Sequence, residues 1–360
     1  MRKYLALMNA RKANSQYRFL LARFNTDYIL KLPTVKDIKQ VLGDLSIPET
    51  TKMDASNPDR GNERRMDEVY NRILGAIREQ PPNTQKIVFR ALSWIGYATR
   101  TLTVRELLEA ISVEANQYQL DDSDMIRFED LLDYCNGLVI ADGQAVRLVH
   151  FSVRNYLDRH QVIPESAEEA YRAIACSTYL SFDALKGAPF EKLSEFPFLV
   201  YAANNLTIHL SKVERRHYPK TTSAIMKLLE DKAHRRVYCM AKNGIRLQLD
   251  LPRLNLACEI GYEDAVRTLL EEGDVDVNAV DSRTGLTPLS WAVLRRHETV
   301  AKRLLGEDRV DRQSYGGMPL SLAISSKEIR IVQLLVEKGA DVNITYDEVS
   351  QIQRHREALS

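Results

Sequence analysis

The chain has 360 residues, 44% hydrophobic and 28% charged, the composition of a globular protein and not of a disordered or fibrous one. Its formal net charge of +1 gives no bulk attraction to nucleic acid or to an anionic membrane. The length predicts two or three domains, and no apolar run approaches the roughly 18 residues of a bilayer span.

Four cysteines, Cys135, Cys176, Cys239 and Cys258, lie far apart and form no C-x-x-C pair. That spacing argues against a disulfide framework or a zinc knuckle and for reduced, intracellular thiols.

At the N-terminus, Tyr17, Leu20, Leu21, Phe24 and Tyr28 predict one apolar stripe of a helix, and Val35, Ile38, Val41 and Leu42 a second. Ser46 to Asn62, with Pro48, Pro58 and Gly61, reads as a linker. Met66, Val69, Tyr70, Ile73 and Ile77 predict a helix stopped by Pro81-Pro82, and Ile87 to Ile95 a further one.

From Leu102 to Leu157 the pattern is that of a winged helix. Thr103 and Glu106 have capping-box spacing before Val104, Leu107, Leu108 and Ile111. A second helix places Met125, Phe128, Leu131 and Leu132 inward and ends near Gly137. Leu138 to Ile140 and Ala145 to Val149 flank Asp142-Gly143, a strong hairpin signal.

Ser166 and Glu169 have the spacing of another capping box, opening a helical connector that runs through Thr221 to Ala241. From Leu251 a repeat appears. Leu254 to Cys258, Leu289 to Val293 and Leu320 to Ile324 align, with Leu269-Leu270, Leu304-Leu305 and Leu334-Leu335 closing each unit. The aligned alanines are 35 and then 31 residues apart, and Thr287-Pro288-Leu289 and Gly339 to Asn343 match the ankyrin consensus of about 33 residues. Three units are near the minimum for a stack, which favours docking of the first onto the connector.

The expected fold is mostly α: a helical lead-in, a winged helix with a β-hairpin wing, a helical connector and a C-terminal ankyrin-repeat solenoid. The boundaries are a helical remnant over 1–45, a linker over 46–62, a winged-helix domain with its preceding helices over 63–160, a connector over 161–250, three ankyrin repeats over 251–343 and a tail over 344–360.

Enzyme signatures are missing. There is no G-x-x-x-x-G-K-[ST] phosphate loop, no G-x-S-x-G elbow and no H-E-x-x-H, and the seven histidines lack ligand spacing. His150 reads as a hydrogen-bonded residue at a strand end. The expectation is a non-enzyme with no catalytic residue, metal or cofactor.

Direct DNA binding is disfavoured, because Asp121, Asp122, Asp124, Glu129, Asp130 and Asp133 face Arg127 alone in the would-be recognition segment. A basic stretch from Lys212 to Lys242 reads as a solvated helical surface, with an acidic partner, RNA or a nuclear import receptor as the rivals. Solenoids of this kind bind proteins on a concave face of hairpin tips and inner helices. The register assigns to it Ser282, Arg283, Leu286, Leu294, Arg295, Ser314, Tyr315, Ser325 and Ser326, with Leu286, Leu294 and Tyr315 either exposed or packed on a neighbouring unit.

In order, these parts resemble the C-terminal portion of the fungal NACHT-ankyrin proteins, relatives of NLR-type receptors. Phe19 to Arg23 resembles the end of their NTPase region, Met66 to Ile73 a D-E-x-Y-x-x-I helix, Leu102 to Leu107 with Gly137 to Val139 and Arg147 to Phe151 the winged helix. Phe196 to Ala203 resembles the helix that follows, and Gly285 to Val293 the repeats. The resemblance implies a regulatory arm without the nucleotide switch. The expected location is cytoplasm or nucleus, with no membrane segment. The expected function is a protein-interaction adaptor; the rivals are an ankyrin co-regulator recruited to a DNA-bound factor and a fragment of a NACHT NTPase receptor.

Overall fold

A computed structural model describes residues 58–121, 123, 125–243, 250–312 and 314–343. The expected helical remnant over 1–45 and the tail over 344–360 lie outside these residues. The described chain divides into two compact units, one formed by residues up to Val104 with Ile126–Ile163, the other by Arg105–Met125 with the residues from Pro164 onward.

In the first unit, α1 (Pro58–Arg78) and α2 (Pro82–Tyr97) precede a three-stranded antiparallel sheet. Helix α1 begins at Pro58, so the last five residues of the expected linker are helical. Proline suits a first helical turn, where its missing N–H is not needed. Met66, Val69, Tyr70, Leu74 and Ile77 of α1 and Val88, Ala91, Leu92 and Trp94 of α2 are buried.

The sheet has the order β1 (Leu102–Thr103), β3 (Ala145–Leu148), β2 (Val139–Asp142). Register is set by the pairs Asp142 with Ala145 and Val139 with Leu148, around a turn in which Gly143 takes φ +63°. The expected wing is present, with β1 as a third strand that the helix-capping reading of Thr103 had hidden. Between β1 and β2, α4 (Phe128–Tyr134) is short, with Leu131 fully buried and Leu132 only partly so. After the sheet, α5 (Phe151–Arg159) is capped by His150, whose Nδ1 accepts from Ser152 N at 3.3 Å.

The second unit holds α3 (Val104–Ser112) apart from its first residue, then α6 (Glu165–Leu180), α7 (Leu199–Leu210), α8 (Tyr218–Glu230) and α9 (Lys232–Asn243). Tyr171 Oη donates to Ala110 O at 3.0 Å, and Glu109 of α3 accepts from Tyr179 Oη and from Phe198 N. Pro219 lies in the first turn of α8, and the Thr221 to Ala241 stretch divides at Asp231, whose carboxylate accepts from Ala233 N.

The capping box expected at Ser166 and Glu169 is absent: α6 starts at Glu165 after Pro164, with no side-chain cap. Glu169 is instead 1% exposed and turned into the core. Its Oε2 accepts His209 Nδ1–H at 2.8 Å, and Arg172 Nη2 lies 3.1 Å from Oε1. A buried carboxylate costs far more unpaired than an unfilled cap, so the core pairing decides its direction.

The repeats follow as three helix pairs: α10 (Arg253–Ile260) with α11 (Glu263–Glu272), α12 (Pro288–Leu294) with α13 (Glu298–Leu304), and α14 (Ser314–Ser325) with α15 (Ile329–Glu337). Helix α8 covers the open side of the first pair. Tyr218 packs edge-on against Tyr262, and Thr222 Oγ1 donates to Tyr262 Oη at 3.3 Å. Among the described residues no helix is long and apolar enough to cross a membrane.

Candidate functional site

Each repeat turns from its first helix to its second through a left-handed residue four positions after the aligned alanine. These are Gly261, Arg296 and Lys327, with φ of +81°, +63° and +59°. The loop before α12 is held from within by Asp281, 1% exposed. Its Oδ1 accepts from Arg283 N at 3.0 Å and Thr284 N at 2.7 Å, while Oδ2 meets Thr284 Oγ1 and Trp291 Nε1. Thr287 then caps α12, its Oγ1 accepting from Ser290 N at 3.3 Å.

Neighbouring units are tied by amide side chains. Asn255 Nδ2 donates to Ala279 O and Leu286 O, and Asn278 reaches the next loop by donating to Arg309 O and accepting from Asp311 N, both at 2.8 Å.

On this frame the expected contact residues separate. Ser282 and Arg283 are exposed at the tip of the loop. Leu286 is 1% exposed and belongs to the core, because Asn255 draws its carbonyl between two units. Ser326 is buried as well, and its carbonyl accepts from Arg296 Nη2. Leu294, Arg295 and Ser325 are half-buried along the inner helices. Ser314 and Tyr315 lie on the first turn of α14 and not on a hairpin tip. The third unit has Met318 where the second has Thr287, so no hydroxyl is in place to start the helix at Pro319.

Arg295 is engaged in a cluster that the motif reading missed. Glu259 of α10, 3% exposed, accepts from Tyr238 Oη at 2.8 Å and is paired with Lys242 Nζ at 2.9 Å and Arg295 Nε at 3.2 Å. Burial pushes this carboxyl up, but Lys242, Arg295 and the bonds from Lys242 and Tyr238 hold it below the ordinary carboxylate range. His297 Nε2 donates to the Glu259 carbonyl at 3.1 Å, and burial lowers the pKa of its imidazole. The available sequence signal was a glutamate, two residues after Ala257, in a repeat motif otherwise free of charge.

The basic connector is largely spent on structure. Arg235 donates to Leu229 O, Glu230 O and Leu251 O, Lys227 lies over the Tyr118 ring, and Lys212 and Lys232 pair with Glu169 and Asp250. In the first unit, Arg127 is held bidentately by Asp130 at 2.8 Å, so the acidic segment has lost its one cation to an internal pair. A cavity of about 280 Å³ between α1 and α5 is lined by groups already bonded to each other, including Asp67 with Arg159 and Tyr70 with Ser152. Among the described residues no group of three or more His, Cys, Asp or Glu side chains is placed to hold a metal ion.

Family models match two stretches. Residues 79–169 match the winged helix domain of GPI inositol-deacylase, and residues 254–346 match ankyrin repeats in three copies. The chain is a winged helix followed by ankyrin repeats. No curated protein matches it significantly. Within the ankyrin match, the alanine register pairs Leu269-Leu270 and Leu304-Leu305 with Leu335-Val336, one residue later than expected, and Leu335 is fully buried while Leu334 is not.

Proposed function

We propose that the protein is a non-enzymatic interaction adaptor whose ankyrin loops and inner helices hold a protein partner. The observation that carries the reading is the loop at Ser282 and Arg283: exposed at its tip and fixed beneath by Asp281, Thr284 and Thr287. A contact surface that is ordered before binding loses little conformational entropy on association. Ankyrin repeats generally serve such contacts, and the order of parts fits a regulatory arm like that of the NACHT-ankyrin proteins it resembles.

The winged helix serves in this proposal as a mount and not as a DNA reader. Exposed Glu129 and Asp133 on α4 would repel phosphate, and Arg127 is already neutralised by Asp130.

Site-specific photocrosslinking in cells tests the reading. A photoreactive residue at Ser282 or Arg283 should give one discrete adduct, and the same residue at exposed Lys302 on α13 should not. Equal labelling from both positions, or none from the loop, would reject the concave-face assignment.

A further inference from the structure

Two cations of the second unit lean on one carboxylate oxygen. Lys242, in the last turn of α9, and Arg295, at the C-terminal end of α12, both reach Glu259 Oε1, at 2.9 Å and 3.2 Å. The other oxygen, Oε2, is taken by Tyr238 Oη. One carboxylate set against two cations leaves one positive charge in a site largely closed to water, where screening is weak. What exposure remains belongs to the cations: the side chains of Arg295 and Lys242 are 27% and 17% exposed, against 3% for Glu259.

Arg295 is oriented before any partner arrives. Its guanidinium lies over the Trp291 ring at 5.6 Å, and Trp291 is fixed by its Nε1 bond to Asp281 under the loop tip. Its Nε faces Glu259, and among the described residues its contacts leave both Nη groups unused. The last carbonyls of α10 and α12 do not compete for it, since Gly261 N, Arg295 N, Arg296 N and His297 Nε2 already donate to those of Ala257, Trp291, Val293 and Glu259.

We propose that Lys242 and Arg295 receive the carboxylate of an aspartate or glutamate side chain from the protein partner of the ankyrin surface. The inference rests on the adaptor reading and names the chemistry of its partner. A second carboxylate matches two cations with two anions, and a guanidinium already held in place binds it at little entropic cost. A single residual charge suits one carboxylate, whereas a nucleic-acid strand, with a phosphate on every nucleotide, calls for a row of cations. Beside Arg295, half-buried Leu294 offers the partner's neighbouring residue an apolar contact.

Fluorescence anisotropy with the full chain tests the assignment, using a labelled hexaglutamate peptide and its hexaglutamine twin, both capped at their ends so that only side chains carry charge. Hexaglutamate should bind at least about tenfold more tightly. Arg295→Gln should remove most of that preference, and Lys302→Gln on α13 should leave it unchanged. Lys242→Gln repeats the measurement in case Arg295→Gln perturbs folding. Equal binding of the two peptides overturns the proposal, as does a preference that survives both variants, which puts the charge elsewhere. So does tighter, Arg295-dependent binding of hexauridylate, which indicates a nucleic-acid partner, or of hexaglutamine with a free C-terminal carboxylate, which indicates a chain end. Crosslinking from Ser282 or Arg283 does not depend on this charge, so the adaptor reading can stand when the acidic preference fails.

Discussion

The imidazole of His297 occupies the space that a side chain at Gly261 would need: a Cβ there would overlap the ring. The same backbone position is left-handed in all three units, yet only the first has glycine there. Gly261→Ala should therefore combine left-handed strain of about 1–2 kcal/mol with displacement of His297. A clear fall in Tm by calorimetry is expected. Lys327→Gly should move stability the other way, by about 0.5 kcal/mol after the added freedom of the unfolded chain is counted. A stabilised Gly261→Ala protein would show that the ring and turn are not coupled.

Glu259→Gln should destabilise the chain by about 2–3 kcal/mol, below the largest values for broken buried pairs because Lys242 and Arg295 can partly reach water. Arg295→Glu should also destabilise, since it would set two carboxylates against each other, while Arg283→Glu at the exposed tip should lie within about 0.5 kcal/mol of the parent. Urea titration of the three variants checks the ranking. If Arg295→Glu and Arg283→Glu behaved alike, the cluster would have no energetic role.

Acid should weaken the fold in two stages. Burial lowers the pKa of His209, His234 and His297, so between their folded values and the ordinary 6.5 the unfolded chain binds more protons. Stability from these groups is complete above pH 6.5 and declines below it. Burial raises Glu169, but His209 and Arg172 outweigh it and bring its carboxyl to about 2, so a second decline begins below the ordinary carboxylate value near 4.5. Unfolding free energies measured from pH 8 to pH 3 should fall from about pH 6.5 downward. A flat profile between pH 7 and 5 would contradict the histidine environments.

Much of the fold was legible because its cues are local. Asp142-Gly143 between two β-prone runs marks the wing, and Thr287-Pro288-Leu289 with recurring alanines marks the repeats. Local rules misread Glu169, where capping-box spacing promised a bond to the first turn of α6 and a partner 40 residues away took the carboxylate. The candidate site was legible only where exposure follows from the loop itself, as at Ser282 and Arg283. The burial of Leu286 and the pairing of Arg295 depend on Asn255 and Glu259 in the preceding repeat, contacts that motif spacing does not encode.

Helix α9 supplies Tyr238 and Lys242 to Glu259, and α8 covers the first repeat at Tyr262. The boundary that the repeat pattern draws at Leu251 is therefore not a seam along which the stack can be lifted out. A shuffled or transplanted ankyrin module cut there would carry a buried carboxylate with one cation left and an uncovered first pair of helices. Any portable unit must therefore include α8 and α9 with the helices they pack on, and recombination that preserves this solenoid must move its connector with it.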